Sequence, residues 1–212
     1  MGNGSLPPLT PRKSPRQGRS IATVDAIFEA TIQVLLSDGL IRINTTRVAR
    51  RAGVSVGTLY QYFPNKQALL FAVFEDHMNK VAVAGEVACE RACHQPLADM
   101  IQQLVEAYVN VKMDRADISV ALYKVVPGVG GHAVVERLGR RLRKAIEAML
   151  QTATDVELPP DKFAIDVMMA AMSGAMRSAL ESGASPATFR KMREHLVLLC
   201  QSYMKAVTAP RI

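Results

Sequence analysis

Tryptophan is absent from this sequence, aromatic residues of all kinds reach only 5%, and 212 residues contain three cysteines. Three thiols (Cys89, Cys93 and Cys200) in a chain of this size are no disulfide framework and favour a reducing compartment. The first 20 residues lack the apolar core of a signal peptide, and Leu6 stands where a myristoylation signal needs Ser or Thr. The longest apolar stretch, Phe163–Leu180, is interrupted by Asp166 and Arg177, so a core helix rather than a membrane span is expected. The expected location is the cytoplasm. No segment sustains a period-2 alternation, which makes a sheet unexpected and excludes Rossmann, P-loop and α/β-hydrolase architectures. GxSxG, HExxH and catalytic Cys/His spacings are missing as well, so no catalytic residue, metal or cofactor is predicted and the chain does not read as an enzyme.

What the chain does have is a lopsided charge. The formal net charge is +7, from 26 Lys and Arg against 19 Asp and Glu. Residues 1–74 hold nine basic residues and three acids, whereas residues 75–212 are nearly balanced, with 17 against 16. No acid occurs between Asp38 and Glu75, a window that contains Arg42, Arg47, Arg50, Arg51 and Lys66. A one-ended excess of this kind points to a polyanion, either nucleic acid or an anionic membrane.

Residues 1–19, with four prolines, four basic residues and no acid, read as a disordered basic arm. From Ser20 the pattern is helical. Val24, Ile27, Phe28, Ile32 and Leu35 follow a 3.6-residue spacing that ends at Gly39, a C-terminal capping residue. Short helices are predicted at 45–52 and 56–62, and longer ones at 66–93, from Pro96 to about 113, at 116–126, 132–153, 160–182 and 187–207. Breaks fall at Pro127-Gly128, Leu158-Pro159-Pro160 and Gly183–Pro186.

The informative stretch runs from Gly39 to Lys66. Asn44 is a good N-cap, and Ile43 with Val48 forms a hydrophobic staple around it. Gly53 permits a left-handed turn, after which Ser55 caps a second short helix, stapled by Val54 and Leu59. Two short helices joined by a Gly-containing turn form a helix-turn-helix. Val48, Ala49, Ala52, Val54, Leu59 and Phe63 would lock the pair against the first helix. Ser55, Val56, Gly57, Thr58, Tyr60, Gln61 and Tyr62 would then occupy the start and outer face of the second, where small and hydrogen-bonding groups suit base edges. Gly57 costs about 1 kcal/mol relative to Ala inside a helix, so a close backbone approach explains it better than stability does. Tyr60 and Lys66 are placed to reach phosphates, as are the amides near Thr45 and Thr46.

The segment TTRVARRAGVSVGTLYQYFPNKQALL resembles the DNA-binding domain of TetR/AcrR-type transcriptional repressors, through Ala49, Gly53, Val54, Gly57-Thr58-Leu59-Tyr60, Tyr62-Phe63, Lys66 and Leu69-Leu70. The likeness covers about residues 24–78. It implies an all-α, nine-helix homodimer: a three-helix DNA-binding domain over 20–66 and a ligand-binding and dimerisation domain over 67–212. Its two heads would read a palindromic operator, and a small-molecule effector would release the repressor. The contacts carried over are Thr45, Thr46 and Arg47 on the first short helix, Ser55, Val56, Gly57, Thr58, Gln61 and Tyr62 on the reading helix, and Tyr60 and Lys66 on the backbone. Asn44 departs from the family's Ser or Thr, and Val56 replaces an often polar residue, which favours a thymine-methyl contact.

For the larger part, Ala171, Gly174, Ala175 and Ser178 form a small-residue stripe. With Leu196, Leu199, Cys200 and Tyr203 it makes the last two helices the expected dimer interface. Met100, Leu104, Tyr108, Met113, Tyr123, Met149, Met168, Met172 and Met176 are the candidate lining of an effector pocket, and such a sparsely charged lining favours an apolar or aromatic effector. Arg137, Arg140, Arg141 and Lys144 share one helix face and read as a solvated stripe. Two other functions stay open: a thiol sensor or small enzyme built on Cys89 and Cys93, and a non-specific nucleic-acid-binding protein.

Overall fold

The computed structural model describes residues 18–125, 129–157 and 163–210. Most of the expected arm over 1–19, and the breaks at Pro127-Gly128 and Leu158-Pro159-Pro160, lie outside them. Nine helices form among the described residues: α1 (Gly18–Arg42), α2 (Thr45–Arg51), α3 (Val56–Tyr62), α4 (Lys66–Ala92), α5 (Leu97–Asp114), α6 (Ala116–Tyr123), α7 (His132–Leu150), α8 (Phe163–Glu181) and α9 (Pro186–Val207). The first starts two residues ahead of the expected Ser20. It is broken at Gly39, whose φ of 78° and ψ of 168° are not helical, so the capping glycine does interrupt the helix before a last turn resumes.

The chain divides into two compact units, Met1–His77 with Ala121–Val134, and Met78–Val120 with Val135–Ile212. In the first unit, Ile27, Val34 and Leu35 of α1 are buried together with Val48 and Ala49 of α2, Leu59 of α3, and Leu69, Leu70 and Phe74 of α4. Phe63, just after α3, places its ring 5.7 Å from that of Phe28. Thr31, buried mid-helix, donates its hydroxyl to the Ile27 carbonyl at 2.7 Å and so leaves no orphan polar group. Asn65 starts α4 by accepting the Ala68 amide at 2.7 Å.

In the second unit, α5 buries Met100, Ile101, Leu104, Val105 and Val109. Helix α8 buries Ile165, Met168, Met172, Met176 and Leu180, a spacing of three and four that keeps one face inward. On α9 the inward face is Phe189, Leu196, Cys200 and Met204. Polar ties pin these helices: Arg193 donates to Asn110 at 2.8 Å and the Gln201 amide donates to the Ala98 carbonyl at 2.9 Å. Arg143 of α7 pairs with Asp166 of α8. Gly85 lets α4 approach α7 closely, since a Cβ there would lie 2.6 Å from Leu142 Cδ1. Beside it the Arg141 guanidinium reaches both carboxylate oxygens of Glu86 and donates to Asn79 Oδ1 at 2.8 Å. At the far end of α4, His94 takes a positive φ of 62°. Its amide donates to Thr152 Oγ1, and Asp155 Oδ1 caps α5 by accepting the Leu97 amide, both at 2.8 Å.

One departure from the helix-only expectation is a two-residue antiparallel ladder, β1 (Val156–Glu157) with β2 (Ala209–Pro210). Two residues are too few to display an alternating pattern, so the ladder leaves no signal in the sequence. Two helical segments, Ser20–Arg42 and Phe163–Glu181, are long and apolar enough to cross a membrane by length and hydropathy. Both carry charges, Asp25, Glu29 and Asp38 in one and Asp166 and Arg177 in the other. Both also bury one face inside their own unit, as core helices do.

Candidate nucleic-acid interface

The site is assembled by local capping. Asn44, extended at φ −143°, accepts the Arg47 amide on its side-chain oxygen at 2.9 Å and starts α2. The flanking staple residues Ile43 and Val48 are both buried. Gly53 then adopts a φ of 69°. A Cβ there would meet nothing within 4 Å, so backbone conformation and not space requires glycine at this turn. Ser55 opens α3 by accepting the Thr58 amide at 2.9 Å, and the two hydroxyls lie 2.8 Å apart.

Those caps leave Ser55, Gly57, Tyr60 and Gln61 exposed, with Val56, Thr58 and Tyr62 half-buried beside them. On α2, Thr46 and Arg47 are exposed and Thr45 is half-buried, as is Lys66 at the start of α4. Tyr60 and Thr45 are joined, their hydroxyls 3.0 Å apart, which sets the Tyr60 ring against the start of α2. At Gly57 a Cβ would make only an ordinary 3.7 Å contact with Ser55 Oγ. Nothing among its described neighbours demands a glycine there.

Several residues that hold this surface in place are not visible as a motif. Tyr62 shares a hydrogen bond of 3.2 Å with Ser20 at the start of α1, 42 positions away in sequence. Arg51 donates to Gln33 at 2.8 Å, and Arg47 forms an ion pair with Asp38. The Asp38 carboxyl is held below its usual range by a hydrogen bond from Ser37 and then by Arg47. So two of the arginines in the acid-free window, Arg47 and Arg51, connect α2 to α1, though all four, Arg42 and Arg50 included, are exposed. Only contacts between distant positions distinguish these roles; composition treats all four alike.

The other candidate residues separate by position. Met100, Leu104, Met149, Met168, Met172 and Met176 are buried in the second unit, and Tyr108 and Met113 there are half-buried. Tyr123 belongs to the first unit, apart from the rest of that set. Of the small-residue stripe, Gly174 and Ser178 are exposed and Ala171 and Ala175 half-exposed. On α9, Leu199 faces solvent at 50% exposure and Tyr203 is half-buried, but Leu196 is packed within its own unit at 3%, as is Cys200. Leu196 and Cys200 are therefore intrachain core, on a buried stripe that borders the exposed Leu199. Phe163, Val167 and Leu198, which no sequence pattern singles out, extend the exposed apolar face instead.

Cys89 and Cys200 have little reactivity to offer. Burial pushes Cys89 up to about 12 and Cys200 up to about 11, so both remain protonated at neutral pH. Cys93 donates its thiol to the Cys89 carbonyl at 3.4 Å, a helix-internal contact. Among the described residues no group of three or more His, Cys, Asp and Glu is placed to hold a metal ion. The expected basic stripe of α7 is largely paired, Arg140 with Glu136 and Arg141 with Glu86.

Two capped short helices crossing on a third, with a polar outer face and exposed arginines, define a helix-turn-helix nucleic-acid-binding domain. Comparison with known proteins carries this to a family. Residues 27–73 match the profile described as "Bacterial regulatory proteins, tetR family", and residues 96–204 match "Tetracyclin repressor-like, C-terminal domain". The chain belongs to the tetR family of transcriptional regulators. Among curated relatives, the fatty acid metabolism regulator protein of Bacillus subtilis is 33% identical over 54 residues, 26% of this chain and 28% of that protein. Nucleoid occlusion factor SlmA of Actinobacillus pleuropneumoniae is 44% identical over 50 residues, 23% of this chain and 25% of that protein. These matches thus span about a quarter of either relative's length. A TetR-family regulator structure from Mesorhizobium loti shares the fold with a TM-score of 0.69 at 18% identity, covering 91% of this chain and 100% of that one. LfrR of Mycobacterium smegmatis, solved with proflavine, gives 0.57 at 21% identity, covering 88% and 98%.

Proposed function

We propose that this regulator is a homodimeric repressor that binds a palindromic operator and is released by a small-molecule effector bound in its second unit. The observation that carries the DNA reading is the outer face of α3, where Ser55, Gly57, Thr58 and Gln61 cluster with no intramolecular contact that calls for glycine at 57. A backbone bare of side chain at that point admits close approach to base edges in the major groove. The dimer reading rests on the apolar surface of α8 and α9, where Phe163 is 65% exposed, Leu198 60% and Leu199 50%, and where the small residues Gly174 and Ser178 of α8 are exposed as well. Large apolar side chains exposed on adjoining helices mark an interface more often than a free surface, and a second copy supplies a self-complementary partner. Support for a small-molecule effector comes from the fold-mate LfrR, which was solved with proflavine. A regulator of this kind works where the chromosome lies, in the cytoplasm, and needs no catalytic step.

A Tyr60→Ala/Lys66→Ala double variant tests the DNA reading. The Tyr60 hydroxyl contact is exposed and contributes little to folding, so the variant should retain its circular-dichroism spectrum and oligomeric state. Its affinity for a duplex selected from a random pool by the parent should fall by about tenfold or more in fluorescence anisotropy. Undiminished affinity refutes the assignment of this face.

A further inference from the structure

We infer that the second unit holds an anion subsite between α5 and α9, in which Lys112 and Arg193 receive the carboxylate of an otherwise apolar effector. The inference rests on the effector response proposed above and names the chemical class of that effector. The inward stripe of α5 runs through Val105, Val109 and Lys112, and the lysine is buried at 3% exposure. The inward stripe of α9 runs through Phe189, Leu196, Cys200 and Met204, and Arg193 falls on it, four residues after Phe189 and three before Leu196. Each stripe therefore carries a cation where its spacing calls for an apolar side chain. Register puts the two cations at one level. The helices run antiparallel, with Gln201 of α9 bonded to the Ala98 carbonyl at one end of α5 and Arg193 to Asn110 towards the other. Asn110 precedes Lys112 by two residues, roughly 3 Å along the helix axis.

Arg193 also has a donor left over. Among the described residues its Nε is buried without a hydrogen-bond partner. Arg143 Nε is in the same condition, but the Arg143 charge is met by Asp166, whereas the bond from Arg193 goes to the neutral Asn110. A buried donor on a charged group is costly until an acceptor meets it, and an anion meets the charge as well. Burial lowers Lys112 to about 8, which still leaves it cationic at neutral pH. An ammonium has three donors and no acceptor, so it can hold an intrachain acceptor and a carboxylate oxygen together. A carboxylate supplies two oxygens in one plane, one for Arg193 Nε and one for Lys112. The rest of such a molecule would lie against Val109 and Phe189, next along the two stripes, and the buried Met172 and Met176 of the same unit, whose thioethers adapt to varied shapes. Like charge disfavours a cation at this place, and a neutral amide leaves both charges uncompensated.

The test uses two skeletons, decyl and 2-naphthyl, each as carboxylate, primary amide and ammonium, titrated calorimetrically against the full chain without DNA. On at least one skeleton the carboxylate should bind about tenfold or more tightly than the amide, and the ammonium more weakly still. Lys112→Met and Arg193→Gln should each bring the carboxylate-to-amide ratio close to one. Circular dichroism checks the fold of both variants, and the ranking on the parent decides the matter even where a variant fails to fold. Absence of binding on both skeletons, amides equal to carboxylates, or a preference for the ammonium overturns the subsite. So does a carboxylate preference that survives both substitutions. Acetate or inorganic phosphate binding as tightly as the larger carboxylates would mark a site for small ions and overturns the apolar part. Release of a duplex selected by the parent is scored separately. If the carboxylates bind in the expected order and the duplex stays bound, the subsite stands and the effector response fails. If the amides release the duplex and the carboxylates do not, the effector response stands and the subsite fails.

Discussion

The two units are held together by different means. In the first, short polar contacts connect separate helices near the surface: Ser20 with Tyr62, Thr45 with Tyr60, Gln33 with Arg51 and Asp38 with Arg47. Each is exposed or partly so, screened by water, and individually weak. Their combined effect is to fix the orientation of α2 and α3. In the second unit, apolar stripes on α5, α8 and α9 supply much of the burial, and a lysine of α5, Lys112, is buried at 3% exposure. The contrast separates two requirements. A surface that must present fixed hydrogen-bonding groups is braced by polar contacts, whereas a core rich in methionine draws mainly on buried area, with polar ties at its margins, and tolerates repacking.

The largest expected effect breaks the second unit's outer face. A Leu198→Glu/Leu199→Glu variant should sediment as a monomer, since both side chains point to solvent and leave the chain's own core intact. Losing the linked second head should then weaken binding to a two-half-site duplex on the order of a hundredfold, while a single half-site is bound as before. Parent-like sedimentation would remove this face from the dimer proposal.

A smaller effect probes the buried cation. Burial lowers Lys112 from 10.5 to about 8, a penalty on its charged form of about 3 kcal/mol. Below pH 8 both the folded and unfolded chains carry the proton and the penalty is fully present. Between 8 and 10.5 the unfolded chain retains a proton that the native chain has released, so parental stability rises with pH. In urea unfolding, the stability of Lys112→Met relative to the parent should therefore fall between pH 7 and pH 10. A constant gap would mean that the lysine's cost is not electrostatic.

The smallest effect returns to the first unit. Gly57→Ala should raise stability by roughly 0.5–1 kcal/mol, because its Cβ meets only an ordinary contact and the helix gains backbone rigidity. The same methyl group should weaken duplex binding. Gains in both stability and affinity would show that glycine at 57 has no role at the interface.

What is legible in the sequence follows the range of the interactions. Asn44, Gly53 and Ser55 act on amides three or four positions away or on their own backbone, and a cap followed by an apolar residue carries that information in a few letters. The bond between Ser20 and Tyr62 and the cap that Asp155 places on Leu97 join residues 42 and 58 positions apart, where no periodicity points from one to the other. Leu196 and Leu199 fall in the same expected interface because they stand three positions apart on one broad apolar face of α9, and only packing shows that the first is inward. Composition groups Tyr123 with the methionines, yet it belongs to the other unit.

Asp38 and Gln33 bear on search as well as on architecture. A head whose arginines all faced outward would cling to any stretch of phosphate backbone, and that hold grows steeply with each cation. In the regulator proposed above, engaging Arg47 and Arg51 on the head's own first helix should lower its residence on unrelated sequence without removing anything from α3. Since competing sites in a chromosome outnumber a true one by about a million or more, such a head should be released sooner from each wrong address and arrive sooner at the right one.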